Sequence, residues 1–180
     1  IDQVGSVGAG TNATGYNSQD GFLYAFRGSD NNLLRLHDDG TVDDLGNLGI
    51  PNTNNLVTGG FDESGNYFVK TGSDVEVYIV DVNTLTFVTV TPTGLFFAKD
   101  WAYHAADGNF YGVHGTDLYS YDPGANTVSI QSLTGIMGGE NTVFGATFYA
   151  ADEFIYVMAN NSGNIYRVDV NTLEASFVIS

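Results

Sequence analysis

The sequence predicts an all-β chain, a β-propeller of four-stranded antiparallel blades, from three observations. First, one phrase is written four times: Gly21-Phe22-Leu23-Tyr24, Gly65-Asn66-Tyr67-Phe68, Gly108-Asn109-Phe110-Tyr111 and Glu153-Phe154-Ile155-Tyr156, with the last aromatics 44, 43 and 45 residues apart. Second, about ten residues after each comes another phrase, Leu34-Arg35-Leu36-His37, Tyr78-Ile79-Val80-Asp81, Tyr119-Ser120-Tyr121-Asp122 and Tyr166-Arg167-Val168-Asp169. Third, Ile1-Asp2-Gln3-Val4-Gly5-Ser6-Val7-Gly8 matches Val42-Asp43-Asp44-Leu45-Gly46-Asn47-Leu48-Gly49 position for position. Four short strands in ~40–45 residues is the spacing of a propeller blade.

Within each repeat the strands, a to d, follow in order. Strand a carries an aromatic about eight residues before the Gly-aromatic phrase: Tyr16, Phe61, Tyr103 and Phe148. Strand b is that phrase, and strand c is the second one. A turn follows (Asp39-Gly40, Val82-Asn83-Thr84, Pro123-Gly124-Ala125-Asn126, Val170-Asn171-Thr172), then the Thr/Val/Phe-rich strand d. The β-branched and aromatic content between Gly/Asn/Asp punctuation suits antiparallel hairpins. Phe96 to Ala106 has helical composition but falls where the other repeats place strand a, so a strand is expected there. The chain reads as a single domain, 1–180, with an extra outer strand at 1–12 and blades at 13–53, 54–94, 95–138 and 139–180. The surplus strand, with Ile1, Gln3, Val4 and Val7 on it, is built to add to a sheet edge, in this chain or in another copy, which makes it a candidate self-assembly strand.

Composition bounds the function. Twenty-one Asp and Glu against five Lys and Arg give a net charge of −16. Nucleic-acid binding is therefore close to excluded, since phosphate recognition needs a basic footprint. Membrane insertion is not expected, because no apolar run approaches ~20 residues. Zero cysteines remove disulfides and thiolate chemistry. No cofactor is expected. Gly8-Ala9-Gly10-Thr11-Asn12-Ala13 fits a dinucleotide-loop pattern, but the residues after it form no amphipathic helix to hold a pyrophosphate. An acidic, Cys-free, Asn/Thr/Gly-rich chain fits an extracellular or cell-surface protein.

The Tyr/Val-Asp-x-Asn-Thr-Leu turn in 78–85 and 166–173, with the Asp/Asn-Gly-aromatic-aromatic strand b, resembles the blades of secreted microbial β-propellers. The resemblance is greatest to an uncharacterised propeller-like domain family of large surface and adhesin-type proteins. It covers essentially the whole chain and rests on turns and core aromatics. It implies an extracellular scaffold and transfers no catalytic residue.

Candidate sites are few. Asp81, Asp122 and Asp169 end strand c, with His37 in the fourth slot. They suit either turn capping or, less readily, Ca²⁺, which needs six to eight oxygens. The a–b and c–d turns gather carboxylates at one end of each blade. Arg27, Lys70, Lys99 and His114 fall at the other with Leu95, Phe96, Phe97, Trp101, Ile136, Met137 and Gly138, which suits equally a head-to-tail stacking of unlike faces and a solvated acidic surface. His104, four residues from Asp100 and ten from His114, suits a carboxylate-oriented base or, more readily, a structural histidine. The third repeat departs most from the others, so Phe96, Phe97, Trp101, Tyr103 and His104 are the candidate ligand platform for a glycan or peptide. The sequons at Asn12 and Asn160 fall in expected loops and are candidate glycosylation sites. The expected function is a non-enzymatic structural or interaction module, with a lectin-like propeller as the alternative and a hydrolase or lyase as a remote one. Its expected partners are other copies of itself, head to tail, or neighbouring domains.

Overall fold

A computed structural model describes residues 10–51, 56–72, 75–136, 139–140, 143–149 and 153–180, with the backbone alone for 146–149. The expected self-assembly strand, with Ile1, Gln3, Val4 and Val7, lies outside the described residues, as do Met137 and Gly138. The chain is all-β, and no helix occurs among the described residues, including the helix-like stretch before Ala106. Among the described residues sixteen strands form four antiparallel four-stranded sheets, each with its strands in sequence order as in a propeller blade.

The chain divides into two compact units, Ile1–Thr91 and Pro92–Ser180. The first unit holds β1 (Thr11–Tyr16), β2 (Leu23–Arg27), β3 (Asn32–Leu36) and β4 (Val42–Asn47) in one blade, and β5 (Leu56–Phe61), β6 (Tyr67–Thr71), β7 (Val77–Asp81) and β8 (Thr86–Val90) in the next. Its core is aromatic. Phe61 stacks on Tyr67 with centroids 4.4 Å apart, and Tyr24 tilts onto Phe61 at 5.3 Å. The strands β1 and β5 approach so closely that a Cβ on Gly59 would fall 2.0 Å from the Ala13 carbonyl oxygen, which explains glycine inside that strand.

The second unit holds β9 (Ala102–His104), β10 (Asn109–His114), β11 (Asp117–Asp122) and β12 (Thr127–Ser132), then β13 (Phe144–Tyr149), β14 (Ile155–Ala159), β15 (Ile165–Asp169) and β16 (Glu174–Ile179). One core cluster is mostly aliphatic, with Val113, Leu118, Leu133, Ile155, Val157 and Val168 around Phe144 and Tyr166. A second group on the third blade is aromatic: Trp101 stacks on Tyr121 at 5.9 Å and tilts onto Phe110 at 4.9 Å.

Burial follows strand position. All five residues of β6 are buried, whereas the outermost β8, β12 and β16 are largely exposed. The alternation expected of one wet face is therefore lost in the middle of a blade, whose two faces are both covered.

Candidate functional site

The platform residues of the third repeat do not share one surface. Phe96 and Trp101 are buried, in edge-to-face contact at 5.3 Å, and belong to the blade core. Trp101 Nε1–H has no hydrogen-bond partner among the described residues. Tyr103 is half-buried against Phe110 at 5.1 Å. Only Phe97 faces solvent, 51% exposed, with its ring 6.4 Å from His114 and 6.2 Å from Tyr119. The segment after it packs tightly, since a Cβ on Gly112 would meet the Asp100 carbonyl oxygen at 2.2 Å and Ala98 Cβ at 2.8 Å.

His104 is 95% buried, and its Nδ1 lies 2.9 Å from Asp107 Oδ1 in the next turn. The other oxygen of Asp107 accepts from the Tyr111 hydroxyl at 2.7 Å, and Oδ1 also accepts from the Asn109 N–H. Burial pushes the Asp107 carboxyl up, but the hydrogen bonds from Tyr111 and His104 outweigh it and hold it below the usual carboxylate range. Burial, helped by Asp107, pushes the Tyr111 hydroxyl up to about 12. The same Asp–Tyr pair occurs in the first blade without a histidine. There Asp20 accepts from Tyr24 at 2.7 Å and from the Phe22 N–H, and Tyr24 is also pushed up to about 12, first by burial and then by Asp20. A constellation shared by two blades is a turn brace, so the His104 cluster carries structure.

The c–d aspartates are caps. Asp81 accepts from the Asn83 and Thr84 N–H groups, Asp122 from Gly124 and Ala125, and Asp169 from Asn171 and Thr172. Among the described residues no group of three His, Cys, Asp or Glu side chains is placed to hold a metal ion.

Two of the basic residues expected at the less acidic blade end are engaged locally. Arg27 is bound by both Asp30 and Asp44, so its charge is neutralised where it sits. Lys70 is buried on β6, its Nζ donating to the Thr71 carbonyl at 2.8 Å, and adds nothing to a surface. Arg35 instead reaches Asp43 at 2.6 Å while lying 5.0 Å over the Phe22 ring, and His37 meets the same Asp43 oxygen at 2.9 Å. Arg167 repeats the Arg35 position in the fourth blade, 4.3 Å over Phe154. His37 and then Arg35 hold Asp43 below the usual carboxylate range.

The sequons sit differently from expectation. Asn12 lies on β1, not in a loop, and its Oδ1 accepts from the Ala13 N–H at 2.9 Å. Asn160 does lie at the turn after β14, but its side-chain oxygen occupies the space over Gly145, where a Cβ would fall 1.8 Å away. The serine of that sequon is engaged: Ser162 Oγ donates to Glu140 Oε2 at 2.8 Å. Glu140 also accepts from the Asn164 amide and the Tyr166 hydroxyl, which hold it below its ordinary value, Tyr166 most strongly. This clamp was missed in the sequence because its partners are 22 to 26 residues away and carry no motif.

The family model described as a repeat of unknown function, DUF6923, matches residues 2–179. The chain belongs to that repeat family. Among proteins of curated function none matches it. Solved structures share its fold. Virginiamycin B lyase from Staphylococcus aureus aligns with a TM-score of 0.62 at 9% identity over 97% of this chain and 57% of its own. A chain in the nidogen/laminin complex aligns at 0.67 and 10% identity over 94% and 63%, and an auxiliary nutrient binding protein from Bacteroides ovatus at 0.66 and 18% over 94% and 42%. The chain thus spans less than two thirds of the length of each, and the likeness is one of propeller fold across proteins of unlike roles.

Proposed function

We propose that this chain is a non-catalytic structural and interaction module, a repeating unit of an extracellular surface adhesin or self-assembling fibre. The observation that carries the reading is repetition. The polar groups that a catalytic or metal site would recruit are spent on bracing turns, and in the same way from blade to blade: Asp20 with Tyr24 as Asp107 with Tyr111, and Asp81 as Asp122 and Asp169. A grafted activity would make one blade spend them differently. The net charge of −16 and the absence of cysteine suit an assembly outside the cell held by strand addition rather than covalent staples.

The arm that joins copies is the Ile1–Gly5 stretch, whose sequence repeats β4 and which therefore carries the pattern of an outermost strand. Within the described sheets every strand c already has its strand d, β3 with β4, β7 with β8, β11 with β12 and β15 with β16. A fifth strand d therefore suits a neighbouring domain or a second copy, and such a head-to-tail contact propagates rather than closes. Sedimentation velocity over a range of protein concentrations tests this on the full chain and on a form lacking Ile1–Gly5. The full chain is expected to form concentration-dependent oligomers and the shortened one to stay monomeric. Identical sedimentation of the two overturns the reading.

A further inference from the structure

Two connections of the second unit seal the open edge of the strand they run beside. Thr93, between β8 and β9, donates its N–H to the Asn126 carbonyl at 2.9 Å and accepts from the Val128 N–H at 2.8 Å. Thr134, between β12 and β13, does the same with Leu173 at 3.0 Å and Ala175 at 2.8 Å. Each makes a one-residue parallel bridge on the outer side of β12 or β16. The next residue is glycine in both, Gly94 at φ +101° and Gly135 at φ +85°. A Cβ would stand 2.9 Å from the Val128 carbonyl oxygen in one and 1.9 Å from that of Ala175 in the other. Glycine is therefore required for the connection to lie this close.

The receiving groups are fixed by the c–d turn. The acceptor is the carbonyl of the left-handed turn residue, Asn126 at φ 53° or Leu173 at φ 59°, and the donor is the N–H two residues on. The first blade repeats this arrangement, with Gly40 at φ 83° and Val42 two residues later. Because the His37 N–H bonds the Thr41 carbonyl at 2.9 Å, Val42 at the next register position turns its N–H to the open side of β4. No described residue bonds the Val42 N–H or the Gly40 carbonyl on that side.

The sequence supplies the missing piece. Gly94, Gly135 and Gly49 each stand eight positions after Thr86, Thr127 and Thr41, so the register from turn to glycine is constant. Since Ile1–Gly8 matches Val42–Gly49, Val7-Gly8 falls at the register of Thr93-Gly94 and Thr134-Gly135. The span fits as well: nine residues lead from Gly94 to the strand-a aromatic Tyr103, and eight from Gly8 to Tyr16.

We propose that the open edge of β4 is a docking site for the Val7-Gly8 segment of the same chain, with the Val7 N–H on the Gly40 carbonyl and the Val42 N–H on the Val7 carbonyl. The latch seals the first blade's edge and anchors the arm whose outer part, Ile1–Gly5, the proposed function assigns to a neighbour. It uses different residues and stands or falls separately.

Amide hydrogen exchange followed by NMR tests it, with Val128 and Ala175 as internal references. In the full chain Val42 is expected to be protected to their level, independently of protein concentration. In Gly8→Val, whose side chain would meet the β4 backbone, Val42 exchanges about tenfold faster while Val128 and Ala175 are unchanged. The form lacking Ile1–Gly5 keeps the protection whatever its oligomeric state. Val42 exchanging at an unstructured rate in the full chain, or unchanged by Gly8→Val, overturns the latch. Protection that grows with protein concentration assigns the edge to a second copy's arm and overturns it too.

Discussion

In the second unit Thr93 and Thr134 bridge to the outer edges of β12 and β16, while in the first Leu48, at the same register ahead of a left-handed glycine, makes no such bond to β8. Gly49 correspondingly has nothing within 4 Å of where a Cβ would stand. The first unit holds its periphery with side chains instead: Arg27 on Asp30 and Asp44, Asn32 on Asp44, and Arg35 and His37 on Asp43. Both units use one topology, but the bonds described at the outer strands are backbone bridges on β12 and β16 and side-chain ion pairs on β4. Exposed ion pairs weaken with salt and pH, whereas backbone bridges held by glycine do not.

The largest expected effect sharpens what holds the second unit together. Trp101→Ala removes the side chain around which Phe96, Phe110 and Tyr121 pack, and is expected to cost about 4 kcal/mol in urea denaturation. Phe97→Ala, on the exposed neighbour, stays within about 0.5 kcal/mol. Equal costs would mean that the two residues share one environment.

The next prediction breaks the comparison directly. Gly135→Ala sets a methyl 1.9 Å from a backbone oxygen at φ +85°, so the Thr134 bridge lets go, at about 2–3 kcal/mol. Gly49→Ala meets open space and carries only the left-handed backbone penalty, about 1 kcal/mol. Paired thermal melts check the ranking, and equal losses would erase the difference between the two edges.

The smallest effect is confined to acid. Glu140 is held below its ordinary value in the folded protein, so its contribution is present above the unfolded value near 4.5 and fades as pH falls through the folded one. Glu140→Gln is expected to lower stability at neutral pH and to flatten the acid side of the melting profile. Amide exchange in Asn161–Asn164 should then lose its acid dependence, while the Asp43 network of the first unit keeps its own.

Most of the fold was legible because core aromatics and turn residues recur at one period, strongly enough to carry β9 through a stretch of helical composition. The site was not, for reasons of geometry. Phe96 and Phe97 are adjacent, and both rings reach Tyr119, yet one is buried and the other half-exposed, so a cluster in sequence becomes one core residue and one exposed ring. Lys70 sits on a strand covered on both faces, where the usual expectation that lysine marks a surface fails. The edge bridges were written in the sequence as a constant eight-residue step to glycine, but a single bridging residue looks like loop until its partner is seen.

The scarcity of basic residues has one more consequence. A trypsin-like protease has five places to cut, and four of them, Arg27, Arg35, Lys70 and Arg167, lie on β2, β3, β6 and β15. Cleavage there must wait for a whole ladder to open, because a protease needs its substrate extended and unpaired. The fifth, Lys99, sits in the segment whose Ala98 and Asp100 press on Gly112. Tryptic digestion of the native chain thus proceeds through rare openings, with Lys99 as the first bond exposed, and the composition that makes the molecule so acidic also makes it slow to cleave after basic residues.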